Sequence, residues 1–339
     1  MATKSCNVSF CAFLLVAAAP GLSEAQAPLG TRAAGMAGAF VGVADDASAV
    51  YWNPAGLATG PIVSFLASFS EELTAPDDVQ AAAGERHTGR MVALSLPPIG
   101  LAYYRIGAYG TTVATSAENG PPSREEVRRS VQALTTSTVG VSLLQSLTDH
   151  IVVGATPKLV RGSAARGLFG AMSAEDALEA AADLDGQDDT AFDIDAAVMV
   201  AVERIRIGLV ARNLTTPSFA VAGGGGEIEL PREVRLGAAW GSQWPGNSLL
   251  TLSVDADVMS RVTPFGDRRD VAAGVETWWL RDRRLSLRGG ARRSTIGEAR
   301  GAITGGASYA VRPSVFVEGH AAAGQRSERG WSLGIRMGF

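Results

Sequence analysis

The sequence has little cysteine, little lysine and few charges of either sign. Its 339 residues include two cysteines, Cys6 and Cys11, and two lysines, Lys4 and Lys158. Both cysteines lie in the N-terminal leader, so the mature chain would have neither a disulfide nor a cysteine metal site. The net charge is only −4. Because acids and bases nearly balance, we do not expect a basic face or a nucleic-acid partner.

Recognisable enzyme motifs are also missing. The chain has no glycine-rich phosphate loop followed by lysine, no His-Glu-x-x-His and no Gly-x-Ser-x-Gly. Its three histidines, His87, His150 and His320, are far apart in the sequence. We therefore predict a protein that is not an enzyme, with no catalytic residue, no metal and no cofactor.

One acidic segment leaves a calcium site open as an alternative. Residues 163–190 contain the spacing Asp-x-Asp-Gly-x-Asp at Asp183, Asp185, Gly186 and Asp188. This spacing is similar to a calcium loop but lacks the twelve-residue frame and its closing Glu. A solvated acidic external loop is the interpretation that we prefer.

The first 27 residues have the features of a secretory signal. Lys4 gives a positive start, residues 10–19 are apolar, and Ala25-Gln26-Ala27 is a small-x-small cleavage site. The apolar stretch is too short for a membrane helix, which needs roughly 20 residues. We predict a signal peptide at 1–27 and a mature chain beginning at Pro28.

Long apolar runs are absent from the rest of the chain, whose hydrophobic residues alternate with polar ones. Leu250, Leu252 and Val254 alternate with Thr251 and Ser253, which is the period of a strand with one apolar face. Charged residues make up 19% of the sequence, against about 25% in a typical soluble protein. This deficit indicates that lipid covers part of the surface.

Fourteen segments of this kind are predicted to form strands. They are 61–70, 88–96, 98–106, 131–146, 150–162, 191–203, 205–213, 231–241, 248–259, 269–280, 283–293, 299–310, 312–322 and 330–339. Their connections alternate between short and long, as do the periplasmic turns and external loops of outer-membrane barrels. We predict an all-β, 14-stranded antiparallel transmembrane β-barrel over 61–339, in the bacterial outer membrane. A soluble β-sandwich is the alternative.

Alternation also assigns the charged residues of the strands to one face. We interpret this face as the lining of a polar lumen, with ordinary ion pairs rather than a metal site. The predicted lumen-lining residues are Asp193, Asp195, Arg206, Arg212, Arg235, Asp255, Asp257, Arg288 and Arg336. Aromatic residues near strand ends are expected to form interfacial girdles. These are Tyr103, Trp240, Trp244, Trp278, Trp279, Tyr309 and Phe339 at the periplasmic side, and Phe69, Phe219, Phe265 and Trp331 at the external side.

Residues 28–60 do not alternate and are rich in small residues, so we predict a segment that packs inside the barrel. Three blocks stand out: 35–39, 43–49 and 52–56. Their distinctive residues are Gly35, Met36, Gly38, Asp45, Asp46, Trp52, Asn53, Pro54, Ala55 and Gly56. With these blocks the sequence resembles the FadL-type outer-membrane transport family and its PorV-like relatives.

The resemblance implies a fourteen-stranded barrel plugged by an N-terminal hatch at 28–60. It also implies passive transport of small hydrophobic, fatty acid-like compounds across the outer membrane. The alternative, from the PorV branch, is a role in protein secretion or surface attachment through the external loops. The expected partners are outer-membrane lipid, a hydrophobic small molecule or an exported protein, and the barrel-assembly machinery acting on the last strand, which ends in Phe339.

Overall fold

The structure is a computed structural model that describes residues 29–76, 83–114, 128–223, 225–242, 249–279, 284–297 and 300–339. The predicted signal peptide at 1–27, Pro28 and Trp244 lie outside the described residues. Within these ranges no helix is long and apolar enough to cross a membrane.

The described residues contain eighteen strands. They are β1 Ser64–Thr74, β2 Ala83–Leu96, β3 Ile99–Ala114, β4 Arg128–Ser146, β5 Ile151–Phe169, β6 Gln187–Val202, β7 Ile205–Arg212, β8 Ser218–Ala220, β9 Glu227–Glu229, β10 Glu233–Gly241, β11 Leu250–Asp257, β12 Arg261–Thr263, β13 Gly266–Arg268, β14 Asp270–Trp279, β15 Leu285–Ser294, β16 Gly301–Arg312, β17 Val315–Gly324 and β18 Glu328–Gly338.

Fourteen of these strands close into one antiparallel barrel, which confirms the predicted fold class. Each pairs with its sequence neighbour, and β1 closes the ring against β18 with Ser64 opposite Gly338. The remaining strands form two small hairpins, β8–β9 and β12–β13. Following the predicted orientation, we name the barrel end near Ser64 and Gly338 the periplasmic end and the opposite end the external end.

The two faces of the barrel wall differ as the alternation predicts. On β11, Leu252 and Val254 are 46% and 54% exposed, whereas Thr251 and Ser253 are buried. Because successive side chains of a strand point to opposite faces, the apolar side chains lie outside and the polar ones inside. The exterior therefore carries a band of exposed apolar side chains that water does not favour.

Residues 29–60, which we call the hatch, lie inside the barrel and are mostly buried. They form helix α1 (Thr31–Gly35), helix α2 (Ala49–Trp52) and a 3₁₀ helix (Pro54–Thr59). α1 contacts β15–β18, and the 3₁₀ helix contacts β4–β6. The hatch thus bridges opposite parts of the wall.

Two external segments fold back onto the barrel on different sides. Helix α3 (Ala174–Ala182) follows β5 and packs its Ala174, Ala177 and Leu178 on the outer wall. The β8–β9 hairpin instead folds into the barrel, where Phe219 packs against the inner face of β5 at Gly162.

Four predicted girdle aromatics are elsewhere in the structure. Tyr103 is exposed on the outer wall, but it lies within β3 beside Arg105 and opposite Val139 of β4 rather than at the periplasmic strand end. Phe219 is fully buried in the hairpin, and Phe265 stacks with Arg300 at the external end. Trp278 points inward, where its ring meets Phe316 at 5.5 Å. The last three predictions were wrong because proximity to a strand end says nothing about the face of the strand or about loops that fold inward.

The acidic loop shows no arrangement suited to calcium. Among the described residues, no group of three acidic, His or Cys side chains is placed to hold a metal ion. Asp188 is half exposed and pairs with Arg161 at 2.5 Å.

Candidate functional site: the hatch and the lumen

The Asn-Pro-Ala-Gly block fixes the last turn of the hatch. Asn53 donates from Nδ2 to the carbonyl of Val41 at 2.9 Å, and its Oδ1 accepts from the Ala55 N–H at 3.2 Å. The side chain thereby caps the 3₁₀ helix, whose first residue is Pro54. A Cβ on Gly56 would stand 2.1 Å from the carbonyl oxygen of Ala44. Asn53, Pro54 and Gly56 therefore each have a local structural reason.

Asp46 and Trp52 order the middle of the hatch. The Asp46 carboxylate accepts from the Ser48 N–H at 2.9 Å and from the Ser48 hydroxyl at 2.5 Å, which sets the turn before α2. The Trp52 indole donates to the carbonyl of Leu29 at 2.8 Å. Trp52 also meets the rings of Phe40 and Tyr51 edge to face at 6.1 and 5.5 Å.

A buried ion cluster ties α1 to the wall. Arg32 makes two close contacts to Glu276 of β14, at 2.9 and 2.6 Å, and it also bonds Asp45 within the hatch. Arg206 of β7 approaches Asp45 at 3.7 Å. Burial alone would lower the pKa of the Arg32 guanidinium, but the surrounding carboxylates outweigh it and raise that pKa well above its ordinary value. Arg32 is thus a fixed cation.

Asp255 of β11 holds the backbone of the hatch directly. Its Oδ2 accepts from the N–H groups of Phe40 and Val41, both at 2.9 Å, and Arg235 of β10 lies 3.2 Å from the same oxygen. Arg235 also donates to the carbonyl of Gly38 at 3.2 Å. A buried carboxylate requires such partners, since an unpaired one costs several kcal/mol or more.

The glycine-rich start of the hatch lies close to the wall. Thr304 of β16 donates to the Gly35 carbonyl at 3.0 Å. A Cβ on Gly274 or Gly290 of the wall would come within 2.8 and 2.5 Å of Met36. Small residues on both partners therefore let hatch and wall backbones approach at this point.

The inner wall is divided into a charged and an uncharged part. Arginines, carboxylates and Lys158 lie on the inward faces of β5–β7, β10, β11, β14, β15, β17 and β18, whereas the inward faces of β2–β4 above the hatch have a stretch without charge. We call this stretch the uncharged strip. Its inward residues are Ala93, Met91 and Gly89 of β2, Ala102, Tyr104, Ile106 and Ala108 of β3, and Thr138, Thr136 and Leu134 of β4.

The uncharged strip runs from the hatch to the external hairpin. At its lower end Met91, Ala93 and Tyr104 belong to the same apolar cluster as the hatch residues. At its upper end Leu134 packs with Phe219 of the β8–β9 hairpin. A nonpolar molecule that followed this side of the lumen would meet no charged side chain on β3 or β4 between the two ends.

Comparison with solved structures identifies this architecture. The CymD monoaromatic hydrocarbon channel is 14% identical, with 91% of this chain and 97% of that chain covered and a TM-score of 0.64. The toluene transporter TbuX of Ralstonia pickettii is 15% identical, with 91% and 98% covered and a TM-score of 0.61. A FadL homologue of Pseudomonas aeruginosa is 12% identical, with 95% and 99% covered and a TM-score of 0.60. The chain has the FadL-type fold.

Sequence comparisons add less. The family model described as "F plasmid transfer operon, TraF, protein" matches residues 99–257. These residues run from β3 to β11 and are less than half of the chain, so the match does not assign it to that family. A comparison with curated proteins finds no match. The FadL-type resemblance predicted from the hatch blocks is confirmed, whereas its PorV-like part stays a prediction.

The residues predicted to line the lumen of this FadL-type barrel are all buried or nearly so. Asp193 and Asp195 both contact Lys158, at 3.1 and 2.7 Å. Arg212 bonds Glu233 at 2.7 Å and lies over the ring of Tyr51 at 4.3 Å. Both carboxylates of the Asp193/Asp195 pair therefore have a cationic partner, which they share.

The other predicted pairs lie on the charged part of the wall. Arg235 bonds Asp257 at 2.7 Å as well as Asp255. Arg336 bonds Glu318 at 3.0 Å, and Arg288 approaches the same carboxylate at 3.8 Å.

Sequence reasoning missed several partners in this network. Glu276, Glu318 and Lys158 are buried and take part in its ion pairs. Strand alternation contains the signal for all three, because each points to the same face as a residue already predicted to line the lumen. Glu276 is the cross-strand partner of Arg288, and Lys158 is that of Asp193. Glu318 lies two residues from Phe316, the cross-strand partner of Arg336. Arg32 of the hatch had no such signal because its partner is 244 residues away.

Proposed function

We propose that the protein is a bacterial outer-membrane channel, not an enzyme, that lets small hydrophobic compounds cross passively. The observation that carries the proposal is the uncharged strip, which connects the hatch to the external hairpin along β2–β4. Transfer of a nonpolar molecule from water to the apolar side chains of this strip is favourable, whereas the buried ion pairs of the opposite wall offer it no apolar contact.

The exterior supports a membrane location. Alternate outward residues of the barrel are apolar and exposed, including Leu209, Leu236 and Ile335. A closed antiparallel barrel satisfies its backbone hydrogen bonds internally, which is the requirement for strands in a bilayer. The leader predicted at 1–27 would direct the chain to the periplasm for insertion.

Two observations support a class of compound: the aromatic side chains of the lumen and the names of the similar solved structures. The hatch carries Phe40, Trp52 and Tyr51 in edge-to-face contact, and Tyr51 continues this series to Tyr104 of the strip at 5.5 Å. CymD and TbuX are named as a monoaromatic hydrocarbon channel and a toluene transporter. Aromatic rings and acyl chains both suit such a surface, so we propose aromatic hydrocarbons and fatty acid-like molecules as substrates.

Uptake by intact cells that carry the barrel in a lipopolysaccharide-bearing outer membrane tests the proposal, because toluene crosses a simple phospholipid bilayer without a channel. Toluene and a medium-chain fatty acid are the probes, and a charged sugar phosphate serves as a compound whose uptake the barrel should not change. Ala108→Leu adds bulk inside the strip and should slow toluene uptake by about tenfold, the factor that ~1.4 kcal/mol added to the barrier for passage produces. Equal toluene uptake by cells that carry the wild-type barrel and by cells that lack it would overturn the proposal.

Ala322→Leu is the matched control. Ala322 of β17 and Ala108 belong to one lateral row of paired residues, which runs through His87, Glu72 and Gly330. The two variants therefore add the same bulk in the same row, one on the strip and one on the charged wall. We expect uptake by Ala322→Leu to match the wild type, and heat-modifiable gel mobility to show that both barrels fold.

The secretion role of PorV-like barrels is the competing outcome. Recovery of secretion proteins with the purified barrel, together with no uptake of any hydrophobic probe, would favour it.

A further inference from the structure

Three exposed arginines lie in one lateral row on the outer faces of β2–β5. Arg90 is the direct cross-strand partner of Arg105, Arg105 pairs with Ser137, and Ser137 pairs with Arg161. All three arginine side chains are exposed and point away from the lumen. We call Arg90, Arg105 and Arg161 the arginine row; the proposed passage through the lumen does not use it.

Two members of the row repel each other without compensation. Arg90 and Arg105 stand directly opposite on neighbouring strands, where Cβ atoms are about 5 Å apart and like charges are destabilising. Among the described residues neither has an ion-pair partner, whereas Arg161 pairs with Asp188 at 2.5 Å. An anion between or beside the two guanidinium groups would offset this repulsion.

The row lies where the apolar band ends. The next outward-facing residues toward the periplasmic end, two positions along each strand, are apolar or aromatic and 46–57% exposed. They are Val92, Tyr103, Val139 and Leu159. The next outward-facing residues toward the external end carry hydroxyl groups on three of the four strands. They are Thr88, Thr135 and Ser163. Helix α3 covers the wall beyond them, packed on Tyr109 and its neighbours. The arginines therefore separate lipid-facing wall from covered wall.

A groove of about 520 Å³ opens beside the row. Its lining is apolar on the side of Tyr103, Val139 and Leu159, and polar on the side of Thr135 and Ser163. Arg105 and Arg161 stand at its two sides, with Asp188 as the one carboxylate of the lining. A molecule with a charged head and an apolar tail matches this division.

We propose that the arginine row and its groove bind the phosphate headgroup of an anionic lipid in the external leaflet. The planar guanidinium fork suits phosphate oxygens, and long arginine side chains reach the headgroup level while their stems stay on apolar surface. The first segment of an acyl chain then lies against Tyr103 and Leu159. This inference rests on the proposed membrane location and not on the proposed transport.

Lipid titration followed by native mass spectrometry of the detergent-purified full chain tests the proposal. The probes are diphosphorylated lipid A, phosphatidylcholine and inorganic phosphate. The triple variant Arg90→Gln, Arg105→Gln, Arg161→Gln should bind lipid A roughly a hundredfold more weakly, because each arginine near a headgroup contributes about a fivefold factor. The control variant, Arg269→Gln, Arg293→Gln, Arg312→Gln, removes three exposed arginines outside the row and should bind as the wild type does.

A stability measurement separates binding from a merely structural role. In neutral detergent, Arg90→Gln should melt no lower than the wild type, since it removes a repulsion. Added lipid A should raise the melting temperature of the wild type more than that of the triple variant.

Three results would overturn the proposal. The first is undiminished lipid A binding by the triple variant. The second is binding of inorganic phosphate as tight as that of lipid A, which would make this a site for a soluble anion. The third is conversion of a wild-type dimer to a monomer in the triple variant with unchanged lipid binding, which would make the row a contact between copies. Toluene uptake by the triple variant should equal that of the wild type, so failure here is distinguishable from failure of the transport proposal.

Discussion

At the scale of single residues, the hatch shows how backbone geometry selects residue types. Gly56 is required because the carbonyl of Ala44 occupies the space that a Cβ would fill. Asn53 is required because one side chain must both donate to Val41 and cap the 3₁₀ helix. These roles are internal to the hatch, so the block that carries the family resemblance is explained by architecture rather than by contact with cargo.

Gly56→Ala is expected to dislodge the last turn of the hatch. The new Cβ would stand 2.1 Å from a backbone oxygen, which cannot rotate away as a side chain does. We expect a loss of ~1–3 kcal/mol, as for overpacked sites. Limited proteolysis should cut residues 29–60 faster, and thermal melting in detergent should begin earlier. Gly170→Ala is the control, because no atom lies within 4 Å of its added Cβ; equal behaviour of the two variants would contradict this reading.

At the scale of elements, the alternation of apolar and polar residues was sufficient to predict the barrel strands. It was insufficient to predict where the connecting segments pack on the barrel. All fourteen predicted segments overlap barrel strands, because one face of each must be apolar and the other polar. β5 nevertheless continues to Phe169, beyond the predicted end at residue 162, where small residues such as Ala164 and Gly167 break the pattern. The positions of α3 and the β8–β9 hairpin were not predictable, since packing outside or inside the wall depends on contacts distant in sequence.

The β8–β9 hairpin is expected to restrict the external end of the lumen. Phe219 is fully buried against Gly162 and Leu134, and truncating such a ring costs about 3–5 kcal/mol. Val221, Ile228 and Leu230 beside the two hairpin strands pack in the same cluster, so Phe219→Ala should loosen the hairpin rather than release it completely. Hydrogen exchange of residues 218–220 and 227–229 should accelerate, and single-channel conductance should rise.

Phe69→Ala is the control for that experiment. Phe69 is 55% exposed on the outer face of β1, so its removal changes aromatic content without touching the lumen. A rise in conductance in Phe69→Ala equal to that in Phe219→Ala would show that the effect does not come from the hairpin.

At the scale of the whole molecule, different parts of the chain close the barrel and fill its lumen. The ring closes through β1 and β18, paired from Ser64 opposite Gly338 to Thr74 opposite Glu328, and the hatch contributes no strand to it. The hatch instead supplies partners to inward charges, above all Glu276 and Asp255. The sequence could indicate a segment inside the barrel from its small residues, but not which carboxylates would hold it.

Deletion of residues 28–57 tests whether the hatch is a plug. We expect the barrel to fold, since every strand pair remains, and to melt earlier, since apolar contacts and ion pairs are lost. Glu276 and Asp255 would lose Arg32 and two backbone N–H groups as partners, and water entering the lumen would solvate them. Conductance in planar bilayers should therefore increase markedly. Leu178→Ala loosens α3 on the outer wall and should leave conductance unchanged. Unaltered conductance after the deletion would mean that the hatch does not obstruct the pore.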